Sequence, residues 1–213
     1  MFEEVLSKNA KESLAVLGKS KLLEKAYLAG GTALALQIGH RLSYDFDFFT
    51  PEEFDGKIEV QRIKKAVSDF QLEKTSWGTI LGNIKDTRFS LFFYTYPLLF
   101  KTNNFLGVNI AGIKDIASMK IAAIADRGTK RDFIDLYFII FKEKIATLKE
   151  ILGLYDKKFQ SLKQNKVHIL KSLNYFDDAE EGEMSRMIKD VKWKDVKDFF
   201  AGEVKKISKE FLN

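Results

Sequence analysis

The sequence predicts an α+β protein: a small mixed β-sheet flanked by helices in the N-terminal part, followed by a helical C-terminal lobe. Up to Gly112, β-rich runs alternate with helical patterns. From Lys114 onward the strand signal fades and helical spacing repeats. No flexible linker separates the two characters near residue 113, so the expected domains, 1–113 and 114–213, are expected to pack together.

The elements follow in order. Residues 3–17 carry Val5, Leu6, Leu14, Val16 and Leu17 at roughly helical spacing. A short run, Ala26-Tyr27-Leu28-Ala29, leads into Gly30-Gly31. The next stretch, Thr32 to Ile38, is a strong helix former with Thr32 placed as an N-cap. Tyr44 to Phe49 alternates, with Asp45 and Asp47 on one side and Phe46 and Phe48 on the other. That pattern predicts a strand with one buried and one acidic face, ended by Pro51. Residues 57–70 read as a helix with Ile58, Ile63, Ala66, Val67 and Phe70 inward. Two β-rich runs, 72–84 and 88–96, follow, with Gly82-Asn83 as the expected turn, and 105–110 is a further short strand. The helical part reads as 114–127, 130–142, 143–152, 155–173 and 193–211.

Composition sets the outer limits. The chain has 213 residues, 46% apolar and 31% charged, enough for a packed core and too charged for a membrane bundle. Its longest uncharged apolar-rich stretch, Leu91 to Phe100, is about half of the roughly 20 residues that a membrane span needs. The acidic N-terminus does not read as a secretory signal, so the cytoplasm is the expected compartment. With no cysteine, a disulfide scaffold, thiolate metal site and cysteine catalysis are excluded; two histidines, His40 and His168, argue against a His-rich metal site. The net charge of +5 is compatible with a nucleic-acid or nucleotide partner without requiring one, because most lysines alternate with acids as on solvated helix faces.

The sharpest chemical signal is Gly30-Gly31-Thr32 followed by Asp45-Phe46-Asp47. A glycine pair between strand and helix lets backbone N–H groups approach an anion with no Cβ in the way. The helix that follows adds the positive end of its dipole. Carboxylates at i and i+2 of a strand lie on one face, about 7 Å apart at Cα. Such a pair repels itself and suits a shared hard cation such as Mg²⁺, with Mn²⁺ as the substitute. Taken singly, Gly-Gly is an ordinary turn and Asp-x-Asp a solvated edge strand. Their order and the crowding of Tyr44, Phe46, Phe48 and Phe49 favour the chemical reading: an anion cradle beside paired carboxylates, as metal-assisted phosphoryl or nucleotidyl transfer requires.

Two stretches carry a family resemblance. Leu28 to Leu36 with His40 to Phe49, and then Ile116 to Tyr137, resemble the motifs of the AbiEii/AbiGii-type nucleotidyltransferase toxins of the DNA polymerase β-like nucleotidyltransferase superfamily. In the later stretch a helical lysine, Lys120, precedes an Arg131-Asp132-x-x-Asp135 run. The resemblance implies a nucleotidyltransferase core and transfer of a nucleoside monophosphate from an NTP to a hydroxyl. Further implied are an RNA acceptor, tRNA foremost, and a cognate antitoxin as partner. The implied roles are metal binding by Asp45 and Asp47 and a triphosphate cradle at Gly30, Gly31 and Thr32. Ser43 and Arg131 would contact nucleotide, Lys120 would neutralise charge, and Asp135 (in second place Asp132) would orient Lys120 or complete the site. Many superfamily members carry a third carboxylate on a neighbouring strand; here the run from Arg88 to Tyr94 has none, and Asp86 lies just before it.

The same residues have plainer readings. Lys120 and Arg127 share a helix face, Asp132 and Asp135 are i, i+3, Arg131 and Asp135 are i, i+4, and these residues can form an ion-pair network between two helices separated by Gly128. His40 fits a helix cap, and Arg41 and Ser43 each serve either a phosphate or the loop. Trp77, Tyr94 and Tyr96 fit sheet packing or base stacking, His168 a surface, and Lys205, Lys206 and Lys209 a solvated helix side. Three rival functions remain: nucleotidylation of a protein, a catalytically inactive binding module of this fold, and, more weakly, a helical DNA-binding regulator.

Overall fold

Strands Tyr27–Ala29 (β1), Phe46–Thr50 (β2), Phe70–Ser76 (β3), Thr79–Ile84 (β4), Thr87–Phe93 (β5), Asn103–Phe105 (β6) and Val108–Ile110 (β7) form one mixed sheet in the order β3-β4-β5-β2-β1-β7-β6. The structure is a computed structural model and describes residues 1–162 and 165–212. Pairings β2–β5 and β1–β7 are parallel and the rest antiparallel. The chain divides into a compact unit, Met1–Gly112, and a second that begins at Ile113.

The first unit holds the sheet and three helices, Lys8–Ser20 (α1), Gly30–Ile38 (α2) and Gly56–Ala66 (α3). Strand alternation gives the sheet two unlike faces. Phe46, Phe48, Phe89, Leu91, Ile80 and Ile84 are buried on one face, and all three helices contact the sheet. The other face carries Asp47 and Phe49 of β2 and, by register, Ser90 and Phe92 of β5, all only half-buried. Burying those six apolar side chains stabilises the covered face by roughly 1.5–3 kcal/mol each.

The second unit is helical: Ile113–Asp126 (α4), Lys130–Tyr137 (α5), Leu148–Lys158 (α6), Lys166–Ser172 (α7), Asp177–Glu180 (α8) and Trp193–Leu212 (α9). A π-helical turn, Phe138–Lys142, prolongs α5. Thr147 and Glu150 start α6 with a reciprocal capping box. Phe133 lies at the centre, with ring centroids 5.2 Å from Phe176 and 5.4 Å from Phe200. Among the described residues no helix is long and apolar enough to cross a membrane.

Several elements depart from the sequence reading. Helix α2 begins at Gly30, so Thr32 is inside it and not its cap; Gly30 takes φ +69°, which places the chain turn two residues earlier. Only Phe46–Thr50 is strand, leaving Asp45 immediately before it. Helix α3 ends at Ala66 and buries Val60 and Ile63, whereas Ile58 and Ala66 are exposed and Phe70 starts β3.

Gly82-Asn83 is not a turn. The hairpins reverse at Trp77-Gly78 and Lys85-Asp86. Gly82 sits within β4 because a Cβ there would come 2.4 Å from the Gln71 carbonyl and 2.6 Å from the Phe70 ring. Residues 105–110 make a hairpin end, reversed at Leu106 and Gly107, both of positive φ. In the helical part, residues 143–147 join elements and 155–173 divides between α6 and α7; the part of that span at 163–164 lies outside the described residues.

Candidate active site

The site in the first unit grows from the junction of β1 and α2. Ala29 of β1 pairs with Asp47 of β2, so the strand that ends at the glycine pair sets Asp47 beside it. A Cβ on Gly30 would lie 3.0 Å from Asp47 Oδ2, and one on Gly31 would lie 2.2 Å from Arg41 Nη2 and 3.5 Å from Ser43 Oγ. Both glycines therefore leave room for charged side chains against bare backbone. The first turn of α2 adds N–H groups that have no acceptor within the helix.

Thr32 and Ser43 shape this junction from beneath. The Thr32 hydroxyl is buried, donates to the Asp45 carbonyl (2.5 Å) and accepts from Ser43 Oγ (2.8 Å). The Ser43 N–H in turn bonds the Val5 carbonyl at 3.1 Å. The start of α2 is thus tied to the backbone that carries Asp45 into β2. Arg41 is buried as well, its Nη1 donating to the Leu42 carbonyl at 3.1 Å. Asp45 and Asp47 are half-buried.

Two carboxylates beside a glycine-walled turn fit Mg²⁺, which is commonly held by one or two carboxylates with water and phosphate oxygens completing the shell. Among the described residues no group of three or more His, Cys, Asp or Glu is placed to hold a metal. On β5 the residue that pairs with Asp47 is Ser90, so a hydroxyl stands where a third carboxylate would be sought.

The second unit holds a different cluster. Lys120 of α4 lies 2.8 Å from Asp132 Oδ1 and 2.6 Å from Asp135 Oδ2 of α5, all three buried. Thr129 Oγ1 donates to Asp132 Oδ2 at 2.6 Å, and Arg127 Nε is 3.8 Å from the same oxygen. Burial alone would push the Asp132 carboxyl up; the Lys120 charge and hydrogen bond, with the Thr129 hydroxyl, outweigh it and hold Asp132 below the ordinary value. The sharp turn at Gly128 (φ +52°) brings α5 back against α4, which is why residues twelve apart can pair. Arg131 faces outward.

The structure thus brings together Gly30, Gly31, Thr32, Ser43, Asp45 and Asp47 in the first unit, and Lys120, Asp132 and Asp135 in the second. Sequence reasoning undervalued two residues. Arg41 is packed at the glycine pair, a placement signalled only by its position between α2 and the acidic strand. Asp132 also pairs with Lys120, at 2.8 Å against 2.6 Å for Asp135, and Thr129 three residues before it was the available sign.

A family model described as "Nucleotidyl transferase AbiEii toxin, Type IV TA system" matches residues 13–100 and 92–211. The chain belongs to the AbiEii nucleotidyltransferase toxin family. It is therefore a nucleotidyltransferase of the toxin class. A relative from Aquifex aeolicus (strain VF5), the uncharacterised protein aq_aa25, is 40% identical over 205 residues, 94% of this AbiEii chain and 96% of the relative. The fold is shared with JHP933 from Helicobacter pylori, at 21% identity, TM-score 0.54 and coverage of 96% and 94% of the two chains. A second H. pylori structure, described as a candidate nucleotidyltransferase, gives 20% identity, TM-score 0.52 and 96% coverage of each chain.

Proposed function

We propose that this AbiEii-family protein transfers a nucleoside monophosphate from an NTP to a hydroxyl of an RNA acceptor, tRNA foremost, with release of pyrophosphate, in the cytoplasm, and that a cognate antitoxin restrains it. The observation that carries the reading is the placement of Asp47 against Gly30 at the start of α2, with the Asp45 backbone tied to Thr32. A carboxylate pair and an anion-binding helix start at one turn are what a metal-borne triphosphate needs.

In this reading Asp45 and Asp47 hold Mg²⁺, which when bound polarises the phosphoryl oxygens and favours ionisation of the acceptor hydroxyl. The chain's own groups do the rest. Backbone N–H groups at Gly30, Gly31 and Thr32 bind phosphate oxygens, and Arg41 adds positive charge at the same turn. Thr32 and Ser43 fix the loop that aims Asp45. Lys120 neutralises developing charge, Asp135 and Asp132 orient its ammonium, and exposed Arg131 offers an outer phosphate contact.

Incubating the purified protein with Mg²⁺, labelled NTPs and total RNA tests the reaction. The expected product is nuclease-sensitive labelled RNA, lost in the Asp45→Asn, Asp47→Asn double variant. A protease-sensitive, nuclease-resistant product would assign the acceptor to protein instead. Label persisting in the double variant would falsify the assignment of the carboxylates.

A further inference from the structure

We infer that the half-buried face of the sheet is a stacking platform for single-stranded RNA, running from Asp47 along β2 and β5 to Tyr94 and Tyr96. The inference adds a surface to the proposed reaction and rests on that reading only for which end of the strand reacts.

Register defines the face. Asp47 pairs with Ser90 and Phe49 with Phe92, so these four side chains share one side, and Tyr94, two residues beyond Phe92, continues it. Tyr27 of β1, itself buried, backs Phe49 from the other flank, because it pairs with it. The rings form one continuous cluster: Phe49 lies 5.9 Å from Tyr27, 5.4 Å from Phe92 and 5.0 Å from Tyr94, and Tyr94 lies 5.0 Å from Tyr96. Phe49, Phe92, Tyr94 and Tyr96 are nevertheless half-exposed, unlike the buried phenylalanines of the covered face. The cluster begins two strand residues beyond Asp47, roughly 7 Å along the chain.

Charge selects the occupant. Arg88 stands on the same face at the other end of β5, two residues before Ser90, and is exposed. On β3 a bulge between Leu72 and Lys74 makes Lys74 the partner of Leu81, which itself pairs with Ser90. An unbroken register would have set Glu73 opposite Leu81; the bulge exchanges an acid for a base on this face. Neither Arg88 nor Lys74 makes an ion pair among the described residues. Aromatic rings with flanking free cations on a half-buried sheet face suit unpaired nucleotides, whose bases stack and whose phosphates need counter-charge. An acidic peptide would gain the cations but not the rings, and a duplex hides its base faces. Trp77, 77% exposed, belongs elsewhere: it packs on Phe93, whose register partner Thr50 points to the opposite side.

The test is binding of a fluorescent 12-nucleotide single-stranded RNA to the full-length protein by anisotropy, without NTP or divalent ion, beside the same sequence as duplex. Wild type is expected to prefer the single strand. Tyr94→Leu and Tyr96→Leu are each expected to weaken it about tenfold, and Arg88→Ala to reduce its salt dependence. NTP affinity measured by calorimetry should stay unchanged in both tyrosine variants. Equal RNA affinity of wild type and tyrosine variants, or a parallel loss of NTP affinity, would overturn the platform; the latter would assign the rings to the donor base. Should the variants misfold, crosslinking 4-thiouridine RNA to the wild type decides: adducts on the peptide holding Tyr94 and Tyr96 support it, and adducts confined to other peptides refute it. Label transfer to protein without RNA binding would sink this surface and leave nucleotidyl transfer standing. RNA binding with label persisting in the Asp45→Asn, Asp47→Asn variant would do the reverse.

Discussion

At the scale of single residues, the first unit's chemistry depends on missing atoms. Gly31 has no Cβ where the Arg41 guanidinium lies, and alanine would put a carbon 2.2 Å from Nη2. Gly31→Ala must therefore expel a buried arginine or shift α2. The expected cost is about 1–3 kcal/mol in urea unfolding, with loss of NTP binding in calorimetry. Asp132 offers a second residue-scale test. Its folded pKa is depressed, so its stabilisation is present above the unfolded carboxylate value and is lost as pH falls through the lower folded value. Unfolding midpoints are expected to drop as pH falls below about 4, the ordinary carboxylate value. Asp132→Asn should flatten that part of the profile while lowering stability at neutral pH; an unchanged profile would contradict the assignment.

At the scale of elements, helices α4 and α6 are pinned by one internal ion pair. Lys158 Nζ lies 3.0 Å from Asp115 Oδ1 with both side chains wholly buried. Burial pushes the Lys158 amine down, and the Asp115 hydrogen bond and charge only partly restore it. Removing one partner takes from the other its buried counter-charge. Asp115→Asn is expected to cost about 3–5 kcal/mol, whereas the joint change Asp115→Leu, Lys158→Met should recover most of it. Chemical denaturation of the three proteins checks this. Elements also show where the sequence was legible. The β1–Gly-Gly–α2–β2 order could be read because each step has a local cause: an apolar run, paired glycines, alanine-rich helix formers and strict alternation. The β3–β4–β5 meander was misjudged because Gly82 looks like a turn residue and is small for a packing reason that involves Phe70, distant in the strand pair. Lys85, a residue with no turn signature, takes the positive φ instead.

At the scale of the whole molecule, family membership explains why two short motifs foretold the chemistry that composition left open. The paired acids and the later Lys-Asp-Asp cluster were visible as residue types at set spacings. Their partners were not: the Thr32 hydrogen bond to the Asp45 carbonyl joins residues thirteen apart, and Lys120 reaches two carboxylates across a helix turn. The half-buried sheet face was equally hidden, since register and one β-bulge decide which side chains share it. The central claim is that Asp45 and Asp47 hold a divalent ion together with a triphosphate at the glycine pair. Titration calorimetry of NTP into wild type and Asp47→Asn, with and without Mg²⁺, addresses it directly. NTP should bind wild type only when Mg²⁺ is present and should lose that dependence, with most of its affinity, in the variant. Equal, metal-independent binding to both proteins would contradict it.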